Sequence, residues 1–330
     1  MPFFGGTELH DVYQTAHAGG YGMVASNVTH PELLYGLLDG AARSKTDLVL
    51  QVKRDTLEYL GNGDVATGLA IVGDLLDRLA PAVGVFLNVD HIRADDTELR
   101  GVAIDSDVPS SIMIDASHLP FEQNVETTNA VVETVRSRDG TTLVEAELGR
   151  IAGTESGTIT GEAAHTDPAE AVSFVEQTGC DLLAISIGTQ HGVAAGRDPE
   201  LRIDRARYID EALQRAGHDV PLVVHGSSGL TAADVAALLE TGVCKLNTNT
   251  RYQYEYARTA CEFYHDHATE IVPPASVADD RETLFAAASW QPDKAIFDPR
   301  VVGRQLREDI GSVYEELATV AGSRGRSHWV

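Results

Sequence analysis

Eight short runs rich in Val, Ile and Leu alternate along the chain with stretches of helical length, and this alternation is the strongest constraint on the fold. The runs occupy residues 22–26, 47–52, 83–89, 111–115, 141–148, 181–187, 221–225 and 243–246. Helical stretches fall at 31–44, 64–80, 95–104, 121–138, 167–178, 204–217 and 232–241, with an eighth at 251–271. Strands joined by helices must pair in parallel through crossovers, and eight of them match a closed (β/α)8 TIM barrel better than an open doubly wound sheet. A helix over 7–18, stopped by Gly19-Gly20, precedes the pattern. A last helix over 299–321 follows an irregular excursion at 273–298, so the expected α/β fold is a barrel with an extra N-terminal helix and a C-terminal helical extension. The whole of 1–330 reads as one barrel domain, with 273–330 as its C-terminal excursion and helix.

Charge limits the partners. Net charge is −25, and the lysines are only four, Lys45, Lys53, Lys245 and Lys294. Such a surface repels nucleic acid and anionic membrane. It suits a salt-adapted protein, because the Debye length falls to roughly 3 Å near 1 M salt and self-repulsion is screened. The cysteines Cys180, Cys244 and Cys261 lack metal-type spacing and read as reduced, cytoplasmic thiols. The start, Met-Pro-Phe-Phe-Gly-Gly, lacks a basic region followed by an apolar run, and no apolar run approaches 18 residues, so neither secretion nor membrane spanning is expected.

Strand carboxyl ends of a barrel converge on one face, which makes the residues ending different strands neighbours in space. The third run, Val85-Phe-Leu-Asn-Val-Asp-His91, passes abruptly from apolar residues to a carboxylate and an imidazole. Strand neighbours point to opposite faces, so Asp90 and His91 share a site only where the strand end bends. An isolated Asp-His pair is compatible with an ordinary polar strand end. Here, however, the sixth run leads into Thr189-Gln-His191-Gly192 and the seventh ends in His225-Gly226, while Asp115, Glu145 and Glu147 end two others. Three imidazoles with carboxylates nearby suit a Zn²⁺-like ion that keeps a position open for a substrate oxygen. His10, His118, His165, His265 and His267 have no such placement and read as surface or structural groups.

Two further stretches lie where barrels commonly bind phosphate, after the seventh and eighth strands. In His225-Gly-Ser-Ser-Gly229, small residues at Gly226, Ser227 and Ser228 let backbone N–H groups approach an anion. Asn247-Thr-Asn-Thr250 adds donors at Asn247, Thr248, Asn249 and Thr250. Lys245, at the eighth strand, also offers an amine for Schiff-base chemistry.

In order along the chain, Asp90-His91, Met113-Ile-Asp-Ala-Ser117, Phe121-Glu-Gln-Asn124, Val144-Glu-Ala-Glu-Leu-Gly149, His191-Gly192, His225-Gly226, Lys245-Leu-Asn247 and Phe297-Asp-Pro-Arg300 resemble the class II, metal-dependent fructose-bisphosphate aldolases. The resemblance implies a catalytic zinc on His91, His191 and His225, a second divalent ion at Asp115 and Glu147, and room for a monovalent cation. It implies that Asp90 exchanges a proton with the C4 oxygen. Glu155, on the glycine-flanked stretch 153–157, would exchange the proton on the dihydroxyacetone phosphate carbon. Gly192, Gly226, Ser228, Asn247 and Thr250 would cradle that triose phosphate, and Arg300 would reach the other phosphate of a phosphosugar held by a homodimer or larger homo-oligomer.

There are departures. Lys53-Arg54 replace a small hydroxyl residue and a neutral neighbour and form a basic pair that suits the distal phosphate; Asn249 replaces a frequent aspartate and Ser26 a frequent aromatic. A lysine common after the His-Gly pair is missing from His191-Gly-Val-Ala-Ala195. The expected activity is zinc-dependent cleavage of fructose 1,6-bisphosphate. Tagatose-bisphosphate cleavage is the alternative within the class. A catalytically silent sugar-phosphate-binding barrel is the alternative outside it, and neither that barrel nor a Schiff-base aldolase needs a metal triad beside Asp90.

Overall fold

The computed structural model describes residues 3–138, 140–155, 158–160, 164–192, 201–277, 279–282 and 289–330, with backbone alone at 152–155 and 158–160. Helix α1 (Gly6–Gly19) leads into β1 (Met23–Asn27), α2 (Pro31–Ser44), β2 (Leu48–Val52), α3 (Arg54–Leu60), α4 (Val65–Leu79), β3 (Val85–Arg93), α5 (Thr97–Asp105), β4 (Ser111–Asp115), α6 (Phe121–Arg138) and β5 (Leu143–Leu148). A short hairpin follows, β6 (Ala152–Glu155) and β7 (Thr158–Thr160), then α7 (Pro168–Thr178), β8 (Leu182–Ile185) and the two-residue β9 (Gln190–His191). The chain continues with α8 (Ile203–Ala216), β10 (Leu222–Val224), a 3-10 turn (Ser227–Gly229), α9 (Ala232–Leu239), β11 (Val243–Thr248), α10 (Thr250–Asp266), α11 (Ala268–Ile271), α12 (Lys294–Phe297) and α13 (Pro299–Val320).

Strands β1, β2, β3, β4, β5, β8, β10 and β11 close in that order into a parallel barrel, and they coincide with the eight expected runs. Alternation sorts their side chains. On β5, Val144, Ala146 and Leu148 join the layer between barrel and helices, while Glu145 and Glu147 take the opposite face. The α1 residues Leu9, Val12, Tyr13 and Ala16 pack into a second core with Met23, Val49, Phe86, Met113 and Val223 from the barrel interior. The leading helix therefore plugs one end of the barrel and leaves the end formed by the strand carboxyl termini for chemistry. The tail helps: Trp329 stacks on Phe4 with ring centroids 4.2 Å apart and lies 5.9 Å from Phe86.

The C-terminal helix α13 lies along α2, where Gly40 and Gly311 let the backbones touch; a Cβ at Gly40 would come within 2.6 Å of the Gly311 carbonyl. Pairs Arg307–Glu32 and Arg43–Glu315 mark a parallel run, so the N-terminus of α13 sits at the same barrel end as the start of α2. Three features went beyond the expected pattern. Helix α3 is too short for its periodicity to register; β6, β7 and the two-residue β9 form a small side sheet of very short segments; and the excursion at 273–298 contains α12. Among the described residues, no helix is long and apolar enough to cross a membrane.

Candidate metal centre and active-site cavity

The site begins with a bend in β3. Against β4, Val89 pairs with Ile112 but Ile92 pairs with Ile114, so the two residues between, Asp90 and His91, oppose a single residue. His91 adopts φ 49°, in the left-handed region. A non-glycine residue there costs on the order of 1–3 kcal/mol and persists only where its surroundings hold it. The surroundings do: His91 Nδ1 lies 3.3 Å from Asp115 Oδ2, and His91 Nε2 lies 2.9 Å from His225 Nδ1. This bulge satisfies the condition under which adjacent Asp90 and His91 serve one site, and both line the same cavity.

His225 follows β10 and is oriented from behind. Its Nε2 lies 2.9 Å from Glu145 Oε1, and Glu145 Oε2 accepts from Lys245 Nζ at 2.5 Å. Burial pushes the His225 imidazole down to about 4, against the opposing pull of Glu145, so the ring is neutral near pH 7. Neutral imidazole is the metal-binding form, and a carboxylate behind the ligating ring fixes its tautomer. Gly226 then turns with φ 69°, and a Cβ there would meet the Gln190 carbonyl at 2.4 Å. Only glycine permits that approach, which seats Gln190 against Gly226, while His191 stacks on His225 with centroids 5.9 Å apart.

His91, His191 and His225 each present a ligand atom within 4.8 Å of the others, and His91, Asp115 and Glu147 do the same. These donor sets fit a divalent ion: nitrogen lone pairs converge in the first, and hard carboxylate oxygens join a shared imidazole in the second. Ser117 fixes Asp115 through its N–H at 3.1 Å and its hydroxyl at 2.7 Å. Burial favours a neutral Asp115, but the bonds from His91 and Ser117 prevail and hold its carboxyl well below the usual range. Asp90 follows the same pattern, with burial overcome by the charges of His91 and Lys53, which keep it ionised.

The cavity above these groups has a volume of about 430 Å³, and Lys53, Gly192, Gly226, Ser228, Asn247, Asn249 and Thr250 line it with the histidines and Asp90. Among the described residues, the buried Oδ1 atoms of Asn247 and Asn249 have no hydrogen-bond partner. Ser227 and Thr248 do not line the cavity; their hydroxyls bond each other at 2.8 Å, and Ser227 donates to the Asn247 carbonyl.

The basic pair after β2 divides. Lys53 enters the cavity, whereas Arg54 is turned to Asp96, Glu58 and Glu98 and braces α3 against α5. Arg300 starts α13 at the catalytic end of the barrel, but its side chain is 80% exposed, pairs with Asp298 and does not line the cavity. Glu155 ends β6 in the hairpin rather than an irregular loop; its side chain lies outside the described residues. Sequence reasoning assigned no role to Asn27, Glu145, Asp55, Gln190 or Gln253, although all but Glu145 line the cavity. Glu145 was legible in principle, since its spacing from Glu147 puts both on one strand face.

Lys245 is fully buried within the barrel and ion-paired with Glu145, a placement that suits structure rather than an exposed amine nucleophile. Lys245→Met is expected to destabilise the protein by about 3–5 kcal/mol, because it leaves Glu145 buried without its cation. A urea midpoint unchanged from wild type at constant m-value would refute this.

A parallel barrel whose catalytic end joins a metal-competent histidine cluster to a polar cavity is the frame of a metal-assisted barrel enzyme. Residues 7–326 match the family model for class II fructose-bisphosphate aldolase. The chain is 32% identical over 284 residues to a "probable fructose-bisphosphate aldolase" of Bacillus subtilis (strain 168), covering 86% of this chain and 94% of the relative. It superposes on the YdjI aldolase of Escherichia coli K12 with TM-score 0.71 at 25% identity, over 97% of this chain and 98% of that one. Fructose-bisphosphate aldolase from Campylobacter jejuni shares the fold with TM-score 0.82 at 20% identity, over 98% and 97%. The chain belongs to the class II fructose-bisphosphate aldolase family, a family of metal-dependent lyases.

Proposed function

We propose that this enzyme uses zinc to split fructose 1,6-bisphosphate reversibly into dihydroxyacetone phosphate and glyceraldehyde 3-phosphate, in glycolysis and gluconeogenesis. The observation that carries the reading is the convergence of His91, His191 and His225 beside Asp90 at the floor of one polar cavity. A divalent ion on those imidazoles supplies Lewis-acid stabilisation of the enediolate charge that develops when C3–C4 breaks. Asp90 takes the C4 hydroxyl proton during cleavage and returns it during condensation. Glu155 serves the proton on the dihydroxyacetone phosphate carbon. Asp115 and Glu147 would hold a second divalent ion, and the backbone and side chains of Gly192, Gly226, Ser228, Asn247 and Thr250 hold the phosphate of that triose. Ser227 and Thr248 brace this cradle from behind, and Arg300 reaches the distal phosphate after leaving Asp298.

One barrel domain spanning 1–330, working in the cytoplasm as a homodimer or larger assembly, completes the reading. Net charge −25 supports a salt-rich interior as its working medium.

The test is cleavage of the two C4 epimers. Fructose and tagatose bisphosphates differ only at the carbon whose oxygen Asp90 addresses, so kcat/KM for fructose bisphosphate is expected to be at least about tenfold higher, roughly 1.4 kcal/mol. Arg300→Ala should raise KM for the bisphosphate far more than for fructose 1-phosphate, which lacks the distal phosphate. Equal or better cleavage of tagatose bisphosphate would overturn the sugar assignment, and no cleavage of either would overturn the reaction.

A further inference from the structure

The carboxylate of Asp90 is held asymmetrically. Its Oδ2 accepts from Asn27 Nδ2 at 3.0 Å and lies 3.6 Å from Lys53 Nζ, whereas its buried Oδ1 has no hydrogen-bond partner among the described residues. All three residues line the cavity, and Lys53 is the one Lys or Arg among the described residues that do so. Their positions follow from neighbouring strands: Asn27 ends β1, Lys53 follows the last residue of β2, and Asp90 sits in the bulge of β3. Adjacent strand ends therefore bring an amide and an ammonium to the same carboxylate oxygen. A carboxylate rotates readily about its last torsion, so one amide donor and one cation held against the same oxygen fix which oxygen is left for the cavity.

We propose that Lys53 is a positioning residue for the aldehyde half of the reaction: with Asn27 it anchors Oδ2 of Asp90 and leaves Oδ1 facing the oxygen on C4. The identity of that oxygen rests on the aldolase reading. In cleavage the C4 hydroxyl proton passes to Oδ1 while the C3–C4 electron pair leaves with the enediolate, and C4 becomes the aldehyde carbon. In condensation Oδ1 returns the proton to the new C4 oxygen. Exchange of the proton on the dihydroxyacetone phosphate carbon that becomes C3 involves no C4 oxygen, so Lys53 has no part in it.

Lys53→Met in the metal-loaded enzyme separates the two halves. Misplacement of a reacting group by about 1 Å can cost on the order of 10²-fold, so kcat for fructose bisphosphate cleavage is expected to fall by about 10- to 100-fold. Exchange of the dihydroxyacetone phosphate proton with deuterated water should stay within about twofold of wild type, with metal content unchanged. Condensation should lose the same factor with unphosphorylated glyceraldehyde as with glyceraldehyde 3-phosphate, and Lys53→Arg should recover part of the loss. Equal loss of cleavage and exchange, or no loss of cleavage, would overturn the proposal. A loss confined to the phosphorylated aldehyde would replace it with a phosphate contact. Wild-type enzyme that exchanges the triose proton but cleaves neither bisphosphate would instead point to the aldolase reading as the part that fails, and the inference would fall with it.

Discussion

Incubation with EDTA is expected to lower fructose bisphosphate cleavage by at least about 10³-fold, and added Zn²⁺, Mn²⁺ or Co²⁺ to restore it. The magnitude follows from the several kcal/mol that a Lewis acid contributes, each 1.4 kcal/mol being a factor of about ten. The direction follows from how the imidazoles are held. Glu145 occupies Nε2 of His225 and Asp115 faces Nδ1 of His91, so the remaining nitrogens, 2.9 Å apart, both turn toward the shared centre. With His225 neutral, its Nδ1 offers a lone pair to a cation, and an ion bound only to the folded state also raises the melting temperature. Chelation should therefore lower Tm as well as rate. Borohydride with substrate should leave the enzyme active, since the Lys245 amine is buried against Glu145. Activity that survives EDTA and is lost to borohydride trapping at Lys245 would reverse the mechanistic class.

The barrel was legible because parallel strands covered by helices write nearly continuous apolar runs, and each run here was met by a strand. The convergence of His91, His191 and His225 was legible for the same reason: once the strands are placed, their ends are neighbours. The bend at Asp90 and His91 was visible only as a requirement, since a bulge depends on how β4 pairs and nothing in the local run announces it. Cations were read least well. Lys53 and Arg54 are adjacent and chemically alike, yet one enters the cavity and the other is captured by Asp96, Glu58 and Glu98, partners supplied largely by another element. Arg300 reached the catalytic end of the barrel but not the cavity, because α13 starts there with Asp298 as its cap and its partner. Long charged side chains choose among carboxylates presented by tertiary structure, and a chain with 50 Asp and Glu offers many.

The adjacent residues Asp90 and His91 are expected to fail in different ways when replaced by alanine. Asp90 touches Asn27 and Lys53 but belongs to neither metal-competent group, whereas His91 belongs to both. Asp90→Ala should therefore keep the metal and lower kcat by about 10²–10⁴-fold, the usual contribution of a general acid–base group. His91→Ala removes the imidazole common to both donor sets, so metal content itself should fall, and activity should recover only at high added metal. The bulge sharpens the contrast: alanine at 91 still has to occupy φ 49° but gives up the contacts to Asp115 and His225 that hold it there. A strained position that loses its anchors relaxes, so His91→Ala should also lose more stability than Asp90→Ala. Metal analysis of the two purified variants decides between the roles. Full metal loss in Asp90→Ala beside normal metal in His91→Ala would exchange the assignments and make the carboxylate the ligand.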